Sequence, residues 1–202
     1  MTPTPAKKFW GKHFWFIIHY LALKLPTEDF FKLLTLLSDL LPCFECRIHL
    51  KANIISLRKL KDKDSFELSY DLHATVNHQL GVRHNPEYAQ VKKYYVNHGS
   101  GLVDKEFIFV LRAICFKYDN HLTQLQNLLS LVTPYTSSTL QNSLKSLPLT
   151  IEYETQQDLF FWSIRVGNQY LAKRGQPVEK VEAVKNFFES GMSDDCEECN
   201  LS

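Results

Sequence analysis

The 202-residue sequence is poor in glycine (7) and proline (8), which excludes collagen-like and low-complexity architectures. It carries no excess of either charge: 23 Lys+Arg stand against 22 Asp+Glu, a formal charge of +1. Nucleic-acid binding through a strongly basic surface is thereby set aside, since such binding neutralises phosphates and releases counterions. No apolar run is long enough to span a bilayer. The densest, Phe14 to Leu25, is interrupted by His19 and Lys24, whereas a span needs roughly 20 residues. Lys7 and Lys8 precede that run as in a secretory signal, but Lys12 and His13 sit at its mouth and no small-residue cleavage site follows. No targeting segment is therefore expected. No stretch alternates with period two for long, so a sheet is not expected. Cysteine occurs in odd number, as Cys43, Cys46, Cys115, Cys196 and Cys199. That count does not suit a disulfide-stapled secreted scaffold; two C-x-x-C pairs and one single thiol read as chemistry.

What is present is apolar and helical. Hydrophobic residues make up 45% and aromatics 13%, enough for a buried core. Trp10, Phe14, Ile17, Ile18, Leu21 and Leu25 recur at three- and four-residue spacing, one stripe of an amphipathic helix. Pro26 punctuates it, and Thr27 can cap a second helix with Glu28 and Asp29 in its positive first turn. That helix carries Phe30, Leu33, Leu34, Leu37 and Leu41 and should end before Pro42. A third begins around Cys43. The charged stretch Lys59 to Asp64 reads as a loop, and Ser65 can cap a fourth helix whose stripe is Leu68, Leu72, Val76 and Leu80, with Gly81 where a C-terminal cap belongs. A short fifth helix is expected from Pro86 to about Tyr95. The fold class is all-α.

The second half echoes the first. The apolar pattern of Phe14 to Lys24 returns in Phe107 to Lys117, displaced by 93 positions. Pro134 answers Pro42, Val166 and Gln169 answer Val76 and Gln79, Pro177 answers Pro86, and Lys185 to Phe188 answers Lys92 to Tyr95, all at offsets of 90 to 93. Where the first copy has Trp15, His19, Cys43, Cys46, His73 and Asn77, the second has Ile108, Arg112, a Tyr-Thr-Ser-Ser stretch, Trp162 or Ser163, and Gly167. The second copy keeps the helical frame and loses the polar constellation. Three regions are expected: 1–100, 101–190 as a degenerate repeat, and a polar tail, 191–202.

Cys43-Phe44-Glu45-Cys46 sets two thiols one turn apart at a helix start, where the dipole and free N–H groups favour thiolate. His49 extends that row by three residues. Trp15 with His19, and His73 with Asn77, form i, i+4 pairs. A second C-x-x-C, Cys196-Glu197-Glu198-Cys199, lies in the tail. Taken singly these residues read more plainly: Trp15 as core, His73 as a solvated histidine, Asn77 as an exposed amide, Cys115 as an inert buried thiol. Phe30, Phe31, Leu33 and Leu34 read as core packing or a dimer face. No βαβ pattern surrounds the first C-x-x-C, which argues against a thioredoxin-like fold.

Together the blocks resemble the Erv/ALR family of FAD-linked sulfhydryl oxidases. They are Phe9-Trp10-Gly11-Lys12-His13-Phe14-Trp15 with His19, then Pro42-Cys43 with Cys46 and His49, then His73, Val76 and Asn77 with Leu80 and Gly81. The resemblance covers roughly residues 9–97 and implies a four-helix bundle with a short fifth helix, FAD held in the bundle mouth, and a degenerate second copy as in quiescin-type and some viral members. It implies that Lys12, Trp15 and His19 contact the cofactor from the first helix and His73 and Asn77 from the fourth, with Gly11, His49, Val76 and Leu80 in the same motifs. Tyr94 or Tyr95 would take the place of a Trp, and Arg83 that of an earlier basic residue. Cys43–Cys46 would be the active disulfide, with Cys46 next to the flavin and Cys43 attacked from outside. Cys196–Cys199 would shuttle electrons from protein dithiol substrates by thiol–disulfide exchange, with oxygen as final acceptor and hydrogen peroxide as product.

Two features depart from the family. Ala74 stands where a second side-chain amide is usual, and the cysteine pair that often clips the fifth helix is missing. The family's dimerisation through first helices implies an intramolecular pseudo-dimer here, with a further homodimer open. The small size, missing clip and missing targeting segment suggest a large DNA virus as source, and hence host cytoplasm or virion. Two rival functions stand beside this reading: a structural zinc module on Cys43, Cys46, Cys196 and Cys199, disfavoured by their separation, and a catalytically inactive scaffold.

Overall fold

The computed structural model describes residues 5–192 apart from 61, 83, 118–120, 151, 152 and 154, with side chains from Phe9 onward. Among the described residues there are nine α-helices and no strand. They are α1 Pro5–Ala22, α2 Thr27–Leu40, α3 Phe44–Leu57, α4 Ser65–Gln79, α5 Tyr88–Phe116, α6 Leu122–Val132, α7 Ser138–Ser146, α8 Gln156–Lys173 and α9 Val181–Met192. None is long and apolar enough to cross a membrane. The stripes read from the sequence are the buried faces. Phe14, Ile17, Ile18 and Leu21 of α1 and Phe30, Leu33, Leu34 and Leu37 of α2 are at most 4% exposed. Phe30, Phe31, Leu33 and Leu34 are thus core.

Helix ends follow local chemistry, with two corrections. Thr27 is the first residue of α2, not its cap; Pro26 holds the cap position and makes no side-chain bond. Glu28 and Asp29 still lie in the positive first turn. The cap of α4 is Asp64, not Ser65. Its carboxylate accepts from the Glu67 backbone N–H while the Glu67 carboxylate accepts from the Asp64 N–H, a reciprocal capping box. Ser65 instead donates its hydroxyl to the Leu25 carbonyl. At the other end Gly81 adopts φ +72°, Val82 N–H donates to Asn77 O and Gly81 N–H to His78 O. This left-handed turn, natural to glycine, reverses the chain. Beyond it Asn85 and Pro86 lie against α4, where Tyr70 donates its hydroxyl to the Pro86 carbonyl and Asn77 its amide to Asn85.

The expected short fifth helix is instead the first part of a 29-residue helix, α5. Gly99 and Gly101 suggest a break, since glycine weakens helices. Packing overrides that preference: Gly99 is buried, and a Cβ there would collide with the Tyr20 ring of α1. Residue 100 lies inside α5, and buried residues from both sides of it form one core cluster. α1 packs along α5, α2 along α6, and α8 along α5. Between the halves, His13 Nδ1 pairs with Glu106 Oε2 at 2.5 Å, and the His13 ring stacks on Phe109 at 3.6 Å. Phe9 fits among Phe109, Phe187 and Phe188.

Candidate functional site

The two thiols are positioned by the bend between α2 and α3. Leu41 is extended ahead of Pro42, as pre-proline residues are, and Arg47 Nε donates to the Leu41 carbonyl at 2.6 Å. Cys43 is the N-cap of α3, its sulfur accepting from the Cys46 N–H at 3.3 Å. Cys43 and Cys46 are at disulfide distance, with Cα atoms 5.2 Å apart. The Cys46 N–H thus faces the Cys43 sulfur and would stabilise a thiolate there after reduction. Cys43 is 2% exposed, whereas Cys46 is half-buried; the residue that the resemblance makes the outward one is the more buried of the two. Phe44 and Ile48 beside them are exposed, apolar surface within reach of the disulfide.

A cleft of about 310 Å³ opens between α1, α4 and α5, lined by His19, His73, Asn77 and Asn85 and by Tyr70, Gln90, Tyr94 and Tyr95. Of the residues singled out by the sequence it brings together His19 of the first helix, His73 and Asn77 of the fourth, and Tyr94 and Tyr95. His19 is buried at 1% exposure and joins a chain whose proton order follows from donor and acceptor accounting. Ser69 Oγ donates to the Phe66 carbonyl at 2.7 Å, so it accepts from His19 Nδ1 at 3.0 Å. His19 Nε2 then has only a lone pair to offer, and His73 Nδ1–H donates to it at 2.9 Å. His73 Nε2 is left as an acceptor. Both imidazoles are neutral. Burial, with His73 beside it, lowers His19 to about 3, and burial lowers His73 to about 4. Trp15 stacks on His73 at 4.0 Å with planes 7° apart, so no ligand ring fits between them. Burial raises the Tyr95 phenol, which stays protonated, and its ring lies 5.1 Å from His19.

The remaining sequence-derived candidates lie elsewhere. Lys12 and His49 are exposed and Gly11 is half-buried with open space around it. Val76 packs against the core, and Leu80 caps α4. The cleft lining does not include Cys43 or Cys46. Arg83, Cys196 and Cys199 lie outside the described residues. Cys115 is fully buried and free, its thiol pushed up by burial. Ser69, Tyr70, Asn85 and Gln90 were not legible as site residues. The first two sit four and three positions before His73, on the same face of α4, but serine and tyrosine there carry no signal of their own.

The donor set fits a flat aromatic group with polar edges. Aromatic walls come from Tyr70, Tyr94 and Tyr95, amides from Asn77, Asn85 and Gln90, and an acceptor nitrogen from His73. The volume is at the lower end of the about 300–1,000 Å³ of ligand pockets, room for one ring system. Ala74 also lines the cleft, and Asn85 adds a second side-chain amide to it, accepting from Asn77 Nδ2 at 2.7 Å. Among the described residues no group of three or more His, Cys, Asp or Glu could hold a metal ion. No protein-family model, curated protein or solved structure matches the chain.

Proposed function

We propose that this protein is an FAD-dependent thiol oxidase of the Erv/ALR type, oxidising protein dithiols to disulfides. The observation that carries the reading is the presence in one chain of a C-x-x-C pair at disulfide distance at the start of α3 and of a cleft lined by His19, His73, Asn77 and Tyr95. His19, His73, Asn77, Asn85 and Tyr95 would hold the cofactor, with Trp15 stacked against His73. When bound, FAD supplies a two-electron acceptor that oxygen reoxidises, with hydrogen peroxide as product.

The chain's own part is exchange and positioning. A substrate thiolate attacks one sulfur of Cys43–Cys46 and forms a mixed disulfide. The second substrate thiol releases it, so the substrate is oxidised and the pair becomes a dithiol. The Cys46 N–H, which bonds the Cys43 sulfur, would stabilise a Cys43 thiolate when that sulfur is the one that leaves. Phe44 and Ile48 give a protein substrate apolar contact beside the pair. Cys196–Cys199 would relay electrons by the same exchange.

The second half takes the place of a dimer partner, a degenerate copy held within one chain. The order of helices supports this, as does His13 meeting Glu106, 93 positions later, between the halves. So do the matching ends of α4 and α8, each with a reciprocal N-cap and a left-handed terminal glycine, Gly81 and Gly175.

The test is an absorption spectrum of the purified protein and oxygen uptake with dithiothreitol. A flavin band, with uptake falling at least 100-fold in Cys43→Ser while the band remains, is the expected result. Colourless protein that consumes no oxygen when supplied with FAD would overturn the proposal.

A further inference from the structure

A second cleft, of about 650 Å³, opens in the other half, between α5, α8 and α9. Part of its lining repeats that of the first at displacements of 93 and 90. Arg112, Val184, Phe187 and Phe188 stand 93 positions after His19, Val91, Tyr94 and Tyr95, and Gly167 stands 90 after Asn77. Here a guanidinium replaces the imidazole. Gly167 makes room for it, because a Cβ at that position would collide with Arg112 Nη2.

We infer that this cleft binds a small molecule with a flat apolar body and one anionic group, Arg112 receiving the anion. Arg112 is 7% exposed, yet its buried Nε has no hydrogen-bond partner. Among the described residues the one carboxylate it meets is Glu179, which reaches Nη2 at 2.5 Å from a side chain 43% exposed. A buried guanidinium is ordinarily held by several acceptors. This one is served by a single half-solvated carboxylate, which occupies the place of a ligand anion and can swing out. The backbone of Glu179 is fixed independently, its N–H donating to Asn168 Oδ1 and its carbonyl accepting from Asn168 Nδ2, so the side chain can leave without the loop.

Charge and shape agree with this ligand. Lys105 and Lys180 add positive charge to the lining, while Glu106 is already engaged by His13. Phe109, Phe188 and Ile108 give an apolar wall, and Phe187 stands 53% exposed at the cleft, where a flat ligand would cover it. Among the described residues, the lining of the first cleft offers neutral imidazoles and amides and no such cation. The inference is independent of the redox reading.

The probe is naphthalene-2-sulfonate, with uncharged 2-naphthol as comparison, measured by calorimetry on the full chain. The sulfonate is expected to bind the unsubstituted protein at least fivefold more tightly than naphthol. Glu179→Gln, which frees Arg112, should tighten sulfonate binding by about threefold or more. Arg112→Gln should abolish the preference for the anion, and Phe187→Ala should weaken both probes alike. Equal binding of the two probes, an unaltered affinity in Glu179→Gln, or no binding at millimolar probe would overturn the inference. So would displacement of the sulfonate by FAD, which would assign it to the first cleft.

Discussion

Burial holds the His19–His73 pair neutral, at about 3 and about 4, where an unfolded chain titrates near 6.5. The unfolded state therefore binds more protons between those values, and stability rises with pH there. The contribution is complete above pH 6.5 and is lost as pH falls toward 4. The melting temperature should be flat from pH 7 to 8 and decline from 6.5 downward, at roughly 2–4 °C per kcal/mol for a chain of this length. His19→Gln should flatten that decline in a thermal series, and an unchanged slope would contradict the assignment of the proton-sensitive group. His19, His73 and Asn77 were legible because their four-residue spacing repeats on two helices. Gln90 and Asn85 were not, because a polar residue becomes part of a cleft only through the turn at Gly81 and the path of α5, neither of which a local pattern encodes.

Among the elements, α4 is stabilised by its reciprocal cap. Asp64→Ala should lower stability by about 1 kcal/mol, read as a shift in the denaturant midpoint. Gly99→Ala should be worse. The added methyl must displace the buried Tyr20 ring, a penalty of about 1–3 kcal/mol that outweighs the helical preference for alanine. A stabilised Gly99→Ala variant would show that the α1–α5 contact is loose. The faces of α1, α2 and α4 could be read from apolar periodicity, which burial enforces directly. The length of α5 could not, because the same Gly99 that signals a break locally is what lets α1 approach. Asp64 and Ser65 are both good caps by composition; the glutamate three residues after Asp64 decides between them, and that spacing was in the sequence.

For the whole molecule, one shared core and one helix common to both halves predict a single cooperative unfolding transition, with calorimetric and van't Hoff enthalpies equal. Two resolved transitions would show that the halves are energetically separate. A double-mutant cycle on His13→Ala and Glu106→Ala should return a coupling of about 1 kcal/mol between the halves. If the tail relays electrons, Cys196→Ala with Cys199→Ala should slow oxidation of protein dithiols and spare dithiothreitol, whereas equal loss with both would remove the relay.

Because α5 runs without interruption from the first cleft into the second half, the join counts residues rather than merely connecting. Each residue inserted near Gly99 would turn everything beyond it by about 100° and advance it by about 1.5 Å, swinging Phe107 and Val110 out of the core. An insertion of four, close to one full turn, should be better tolerated than one of two. The molecule is geared at this point, and its two ends can drift in sequence while the tooth count between them stays fixed.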